Sequence, residues 1–521
     1  MTQAKRKPLS FSTTMRNPAR IVCFLDCLLP FENQILTSGL ITKIIKLVLN
    51  KKLYETMYQK RTHSLHEKFK VEEYQYTDAE LVEIMTKAPQ DHKEAGFEYG
   101  WDSRFDTWYK LPKEFGFIYY EMNKPLQISK TGHMLIDAYK ENPPNEEKIQ
   151  NVFLNAMMKY QSNNPFRRNL NSNVPLLLLL NVLALLKNDP QENGAGIFRQ
   201  ELSILICWPD DDAQKLYQEI KKLRKNVGFN YSDEYMYEKC LKILHATTSQ
   251  RNYYKMKQIC GEAVDEYIRK MRSTGIISLR GHGRFIDMNM IEKEKIDYVI
   301  NNYSSYPHFN TCQAYYEYMG DVDSQVISIE KTQEIDISDI RKKALYKYAG
   351  EYSKTTIFSE LRKVCKKQES KDEVLKFISA PTRLEFLTSI ALVQQFEGLD
   401  VNPNYSVDDE GLPVFTAGGG TADIVCYDSD YDSLFEVTLM CGRQDQVNNE
   451  IVPIRRHLLE YKTKQPNVFS VFIAPVVHED TIEIASWYKH KDKLDILVYD
   501  IEKFINEISA KQRSSQLLTI F

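Results

Sequence analysis

The chain has 521 residues, 43% of them apolar and 27% charged, with a formal net charge of −3. That is the composition of a globular protein long enough for about two to four domains, and the charge balance by itself neither implies nor excludes a polyanionic partner. Nine cysteines are scattered without a CxxC pair, which excludes a zinc ribbon and a disulfide framework and makes a reducing cytosol the simplest setting.

The opening MTQAKRKPLS has no apolar stretch behind it, so no signal peptide is expected. Residues 1–70 carry thirteen Lys/Arg against four acids, a local excess of nine positive charges. Such a stretch serves either as a phosphate-facing surface or as a solvated basic face on helices. Two segments then share a pattern. LPKEFGFIYYEMNKPLQISKTGHMLIDAY (111–139) and YIRKMRSTGIISLRGHGRFIDMN (267–289) each run from a helix-like stretch through two β-prone runs joined by a tight basic turn. Residues 196–230, beginning GIFRQELSILICWPDDDAQKLYQEIKKLRKN, look helical and could belong to another such unit. A helix followed by a short hairpin with a basic tip is the outline of a winged helix-turn-helix, which reads duplex DNA with a helix and touches backbone with its wing. The same outline also builds protein contacts. The most apolar run, VPLLLLLNVLALL (174–186), contains Asn181 and is too short to cross a bilayer, so it predicts a buried helix and no membrane partner. Residues 292–370, rich in Tyr, Lys, Glu and Asp, read as a helical connector.

Beyond residue 370 the pattern changes to helix (LKFISAPTRLEFLTSIALVQQFEG), hairpin, helix, strand (NVFSVFIAPVV), helix, strand (KLDILVYD), helix. That order predicts an α/β core with a mixed sheet over 371–521. Its hairpin, GGGTADIVCYDSDYDSLFEVTLM (418–440), places Asp423 and Glu436 inside apolar runs. With the turn near 429–431, Asp423 falls roughly opposite Val437, and the two carboxylates come close together. Two ionised carboxylates at short range repel each other; a shared proton relieves this, and a divalent cation with hard oxygen ligands relieves it better. A tilt of one acid into solvent would also do. Glu385 lies among apolar neighbours on the preceding helix and needs a partner if buried. Glu450 and His457 stand seven residues apart, two helical turns, on one face of the following helix.

An acid on a helix, Asp on one strand and Glu-x-Lys on the next is the pattern of the PD-(D/E)XK nuclease superfamily. Here Thr438 stands at the usual Lys position. This Glu-Val-Thr variant, with Glu385 upstream and Glu450 and His457 downstream, resembles the AlwI/BstNBI family of type IIS restriction and nicking endonucleases. FSTTMRNPARIVCFLDCLLPFE (11–32) and the segments around 108–135 and 267–286 look like that family's opening and winged-helix motifs, so the likeness covers most of the chain.

The resemblance implies a mainly helical DNA-recognition region with winged-helix-like units (1–291), a helical linker (292–370) and a C-terminal PD-(D/E)XK nuclease domain (371–521). It implies Mg²⁺ held by Asp423, Glu436 and the main chain of Val437, in a catalytic set of Glu385, Asp423, Glu436, Glu450 and His457. The expected activity is cleavage of double-stranded DNA a few base pairs outside a short asymmetric site, in a bacterial cytoplasm. A second copy or subunit would join on DNA for double-strand cutting, with a methyltransferase protecting the same site. Arg167, Arg168, Asn169, Arg272, Arg280, His282 and Arg284 are candidate phosphate or guanine donors. Two other readings stay open: a strand-specific nicking enzyme or one subunit of a pair, and a sequence-specific DNA-binding protein whose nuclease-like domain is inactive.

Overall fold

The structure is a computed structural model that describes residues 5–71, 73–141, 144–167, 169–192, 194, 196–251, 253–304, 306–329 and 336–518. It divides into two compact units with the boundary between residues 332 and 333.

The first unit is mainly helical. Helix α1 (Pro18–Asp26) starts where Asn17 accepts the Ala19 N–H and Pro18 occupies the first turn. It packs on α2 (Trp101–Glu114) through Phe24, whose ring lies 5.4 Å from Trp108 and 5.9 Å from Tyr109. A two-stranded antiparallel hairpin follows, β1 (Ile118–Tyr119) and β2 (Gln127–Ile128), then α3 (Lys130–Lys140) and α4 (Glu146–Met157). The apolar run 174–186 lies within α5 (Pro175–Lys187), whose leucines are almost all buried. Among the described residues no helix is long and apolar enough to cross a membrane.

Residues 197–198 form β3 (Ile197–Phe198), followed by α6 (Ala213–Val227). Helix α7 (Ala263–Arg272) leads into β4 (Ile277–Arg280) and β5 (Phe285–Met288). Strand β3 pairs with β5, giving a three-stranded antiparallel sheet in the order β3-β5-β4. The 196–230 segment therefore contributes a strand to the second hairpin's sheet as well as a helix. The 292–370 stretch is divided between the units. In the first, α8 (Cys312–Gly320) packs so closely that a Cβ on Gly116, at φ +73°, would sit 2.3 Å from the Met319 Cβ.

The second unit opens with α9 (Ile337–Glu351), α10 (Lys354–Cys365) and α11 (Ala380–Gln395). Tyr348 of α9 meets Phe386 of α11 edge-on at 5.5 Å. The strands are β6 (Asp400–Pro403), β7 (Tyr405–Val407), β8 (Pro413–Ala417), β9 (Ile424–Tyr427) and β10 (Asp432–Val437). Then come α12 (Val452–Lys462), β11 (Val468–Ala474), α13 (Glu479–Asp492), β12 (Ile496–Asp500) and α14 (Ile501–Ser509). The main sheet runs β12-β11-β10-β9-β6, and β7 and β8 form a separate hairpin. Strands β10, β11 and β12 are parallel, joined through α12 and α13 as parallel neighbours require, and β9 is antiparallel to both β10 and β6.

The mixed sheet read from the sequence is thus present. Its interior strand β11 is buried at all seven positions, which explains its unbroken apolar run. On one face Leu434, Phe472 and Val498 pack with Ile454 and Leu458 of α12 and Ala485 and Tyr488 of α13. On the other, Phe435 meets Phe504 of α14 with ring centres 6.5 Å apart.

Candidate active site

The hairpin turn falls at 428–431, between β9 and β10. The ladder pairs Ser433 with Cys426, Leu434 with Val425 and Phe435 with Ile424. One more step places Asp423 across from Glu436, one residue from the partner, Val437, expected from the sequence. Side chains alternate across a strand, so Glu436 shares the face of Leu434 and looks toward α12.

Asp423 and Glu436 are laced together through the main chain. The Asp423 N–H donates to Glu436 Oε2 at 3.3 Å, and the Val437 N–H donates to Asp423 Oδ2 at 2.7 Å. His457 reaches down from α12 and puts Nδ1 2.9 Å from Glu436 Oε1. Its Nε2 is buried and has no hydrogen-bond partner among the described residues. Glu450 lies in a wide helical turn, Gln446–Ile451, that runs into α12. There the Thr438 side chain stands near enough to pull its pKa downward.

Glu385 comes from a different direction. Buried on α11, it accepts the Ala417 N–H at 3.0 Å, at the end of β8 and the head of the loop that delivers Asp423. Asn404, which sequence reasoning missed, holds the other end of that loop. Its side chain donates to the Ala422 carbonyl at 2.6 Å and its N–H to the Asp423 carbonyl at 2.8 Å. In the sequence Asn404 follows a proline between two strands and reads only as a turn residue.

The electrostatics follow from this crowding. Burial, and after it the neighbouring Glu436, holds the Asp423 carboxyl well above the usual carboxylate range. Burial pushes Glu436 up to about 8, with the Glu450 charge adding to the effect. Burial likewise pushes Glu450 up to about 7 against the pull of the Thr438 hydroxyl. Burial and then the Arg456 charge hold His457 below the usual imidazole value. The centre is a set of acids that keep protons unless a cation joins them.

The donors fit a hard cation. The two carboxylates offer oxygens at one strand end, and Mg²⁺ is commonly held by one or two carboxylates with water completing its octahedron. Among the described residues no group of three His, Cys, Asp or Glu side chains is gathered closely enough to cage a metal by itself.

The candidate DNA contacts are dispersed. The Arg167 Nε donates to Glu114 at 2.9 Å and its NH2 to the Ser10 carbonyl at 2.6 Å, an internal ion pair. Arg168 lies outside the described residues. Asn169 is buried, accepting the Lys7 and Asn171 N–H groups. Arg272 is buried at the end of α7, and Arg280 pairs with Asp287 at 2.7 Å. Each of these four side chains is buried or already paired within the first unit. His282 and Arg284 occupy the β4–β5 turn, with Arg284 exposed.

Comparison with known proteins adds the family. No curated protein sequence matches. Among solved structures, the small subunit (R.BspD6I2) of the heterodimeric restriction endonuclease R.BspD6I aligns at 20% identity over 30% of this chain and 77% of its own, with a TM-score of 0.25. Restriction endonuclease FokI aligns at 12% identity over 99% and 97% of the two chains, with a TM-score of 0.26. FokI bound to DNA aligns at 11% identity over 98% and 96%, with a TM-score of 0.23. The sequence profile described as AlwI restriction endonuclease matches residues 113–343 and 322–506, most of the chain. The protein therefore belongs to the AlwI restriction endonuclease family.

Proposed function

We propose that the protein is a type IIS site-specific DNA endonuclease whose cleavage centre is built on Asp423 and Glu436. Family membership supports a DNA nuclease of the restriction type. The observation that carries the centre is the interlocked pair itself: two carboxylates facing each other across β9 and β10, bonded through each other's main chain, with His457 on the second.

Asp423, Glu436 and the Val437 carbonyl would hold Mg²⁺, which when bound supplies charge neutralisation at the scissile phosphate and acidifies a water for in-line attack. The protein's own contribution is positional. The Val437 N–H fixes the Asp423 carboxylate, and Asn404 and Glu385 hold the two ends of the loop behind it. Glu436 orients the imidazole of His457 through Nδ1 and leaves Nε2 to accept the proton of the attacking water or to contact the phosphate. Glu450, beside Thr438, takes the place of the usual Lys and orients water beside the pair. Products are a 5′-phosphate and a 3′-hydroxyl. The first unit reads the asymmetric site, with His282 and Arg284 among its DNA contacts. Double-strand cutting draws in a second copy or a second subunit, and a methyltransferase protects the same sequence.

Digestion of a mapped DNA with Mg²⁺, followed by sequencing of the ends, gives site, offset and strand count together. Asp423→Ala and Glu436→Ala should each lower cleavage by about 1,000-fold or more while site-specific binding persists. Retained cutting by either variant rejects the assignment. Thr438 at the Lys position favours a second reading, a DNA-binding protein with an inactive nuclease-like domain. Binding without any cleavage by the wild-type chain would establish it.

A further inference from the structure

Gln446 is fully buried, and its amide is saturated in two directions. Its Nε2 donates to the Met440 carbonyl at 3.1 Å and to the Val476 carbonyl at 2.6 Å. Its Oε1 accepts the Thr481 hydroxyl at 3.1 Å and the His478 N–H at 3.4 Å. These partners lie where β10 and β11 leave the sheet and where α13 begins. The carboxyl ends of adjacent parallel strands are where open α/β sheets place their sites.

The placement matters because the 438–450 segment, a loop that passes into the helical turns Arg443–Asp445 and Gln446–Ile451, carries a functional group at each end. Thr438, at its start, is an electrostatic neighbour of Glu450, at its finish. Met440 follows Thr438 by two residues, and Gln446 precedes Glu450 by one helical turn. His478, whose N–H is held by Gln446, also places Nε2 2.8 Å from the Cys441 carbonyl. The wide turn Gln446–Ile451 departs from ordinary α geometry. Such turns are less favourable than regular helix and occur mostly where a site needs a side chain re-aimed. A neutral amide with two donors and two acceptor positions matches this surrounding of two carbonyls, one N–H and one hydroxyl.

We infer that Gln446 is a positioning residue for DNA cleavage. By clamping the β10 exit to the β11 exit, it sets where Thr438 and Glu450 stand over the Asp423–Glu436 pair. The inference rests on that pair being the cleavage centre. Gln446 touches neither substrate nor reacting atoms and acts through the loop it holds.

The test uses the full chain, a plasmid carrying one mapped site, and a Mg²⁺ titration under single-turnover conditions. Gln446→Met keeps the length and removes all four hydrogen bonds. It should lower the cleavage rate by about 100-fold and raise the half-saturating Mg²⁺ about tenfold, the scale of lost second-sphere support. Binding of the site in Mg²⁺-free buffer should stay within about twofold of wild type, because recognition lies in the other unit. Thr481→Val removes only one bond to the amide and should shift the Mg²⁺ midpoint in the same direction by about threefold. It decides the matter if Gln446→Met does not fold. A purely structural brace predicts a lower melting temperature with the wild-type rate and Mg²⁺ midpoint per folded molecule, and that result overturns the inference. Asp423→Ala runs alongside: if it cuts at the wild-type rate, the centre itself is misplaced, a failure distinct from that of Gln446.

Discussion

At the scale of single residues, the acids were legible because each is costly where it stands. An Asp and a Glu inside apolar runs of a hairpin, and a Glu among leucines, have no use in a plain fold. Their division of labour was not legible. Glu385 holds the Ala417 N–H, and Thr438, expected as the place of a missing cation, stands beside Glu450. A lysine introduced by Thr438→Lys would meet a carboxylate already engaged there, so its single-turnover rate should not exceed that of wild type. The protonation pattern makes a sharper prediction. Glu436 is pushed up to about 8 and Glu450 to about 7, so both hold protons in the fold more tightly than in the unfolded chain. Their contribution to stability is complete at acid pH and is lost as pH rises from the ordinary glutamate range through about 7 to 8. Without Mg²⁺, then, thermal unfolding of the second unit should shift to lower temperature across that window. With Mg²⁺ the loss should shrink, and the Mg²⁺ midpoint for cleavage should fall as pH rises, because each ligand must shed its proton to bind. A Mg²⁺ midpoint that does not change between pH 6 and 8.5 would count against the carboxylates as ligands.

Elements were read more securely than registers. Strand β11 was evident from its continuous apolar run and α5 from its leucines, because full burial leaves a one-letter signature. The hairpin register came out one residue away from the ladder, since turn geometry sets register and the DSDYD stretch admits more than one turn. The wide turn before α12 left no composition signal at all. Helix α12 is the element that carries His457, and Leu458 beside it is fully buried against the sheet. Leu458→Ala should cost about 2–5 kcal/mol in urea unfolding and slow cleavage by loosening the imidazole. In the first unit, Gly116→Ala meets both a positive φ and the Met319 backbone, with Met319 C at 2.8 Å. It should destabilise that unit by about 1–3 kcal/mol without touching the Mg²⁺ dependence of cutting.

On the scale of the whole molecule, the chain is two compact units, and the helices between residues 292 and 370 are shared out between them. Their mixed apolar and charged sequences are compatible with a connector or with packing at either end, and no local pattern separates those outcomes. If each unit folds alone, residues 1–332 should bind the recognition site without cutting. Residues 336–521 should cut with Mg²⁺ and without site preference. Gel-shift and plasmid-nicking assays on the separated pieces check both, and site-specific cutting by the second piece would contradict the division.

The sequence by itself determined the α/β character of the C-terminal unit, the helical character of the N-terminal unit, and the family, because periodicity, burial and motif order are local properties of the chain. Only the tertiary structure decided which basic side chains already hold partners within the fold. Arg167 and Arg280 are taken up by Glu114 and Asp287, and Asn169 by main-chain groups. It also decided that Asn404 and Gln446 frame the acids. The physical reason is the same in each case: a hydrogen bond between residues far apart in sequence is made by the packing that brings them together, and nothing in the residue letters announces its partner.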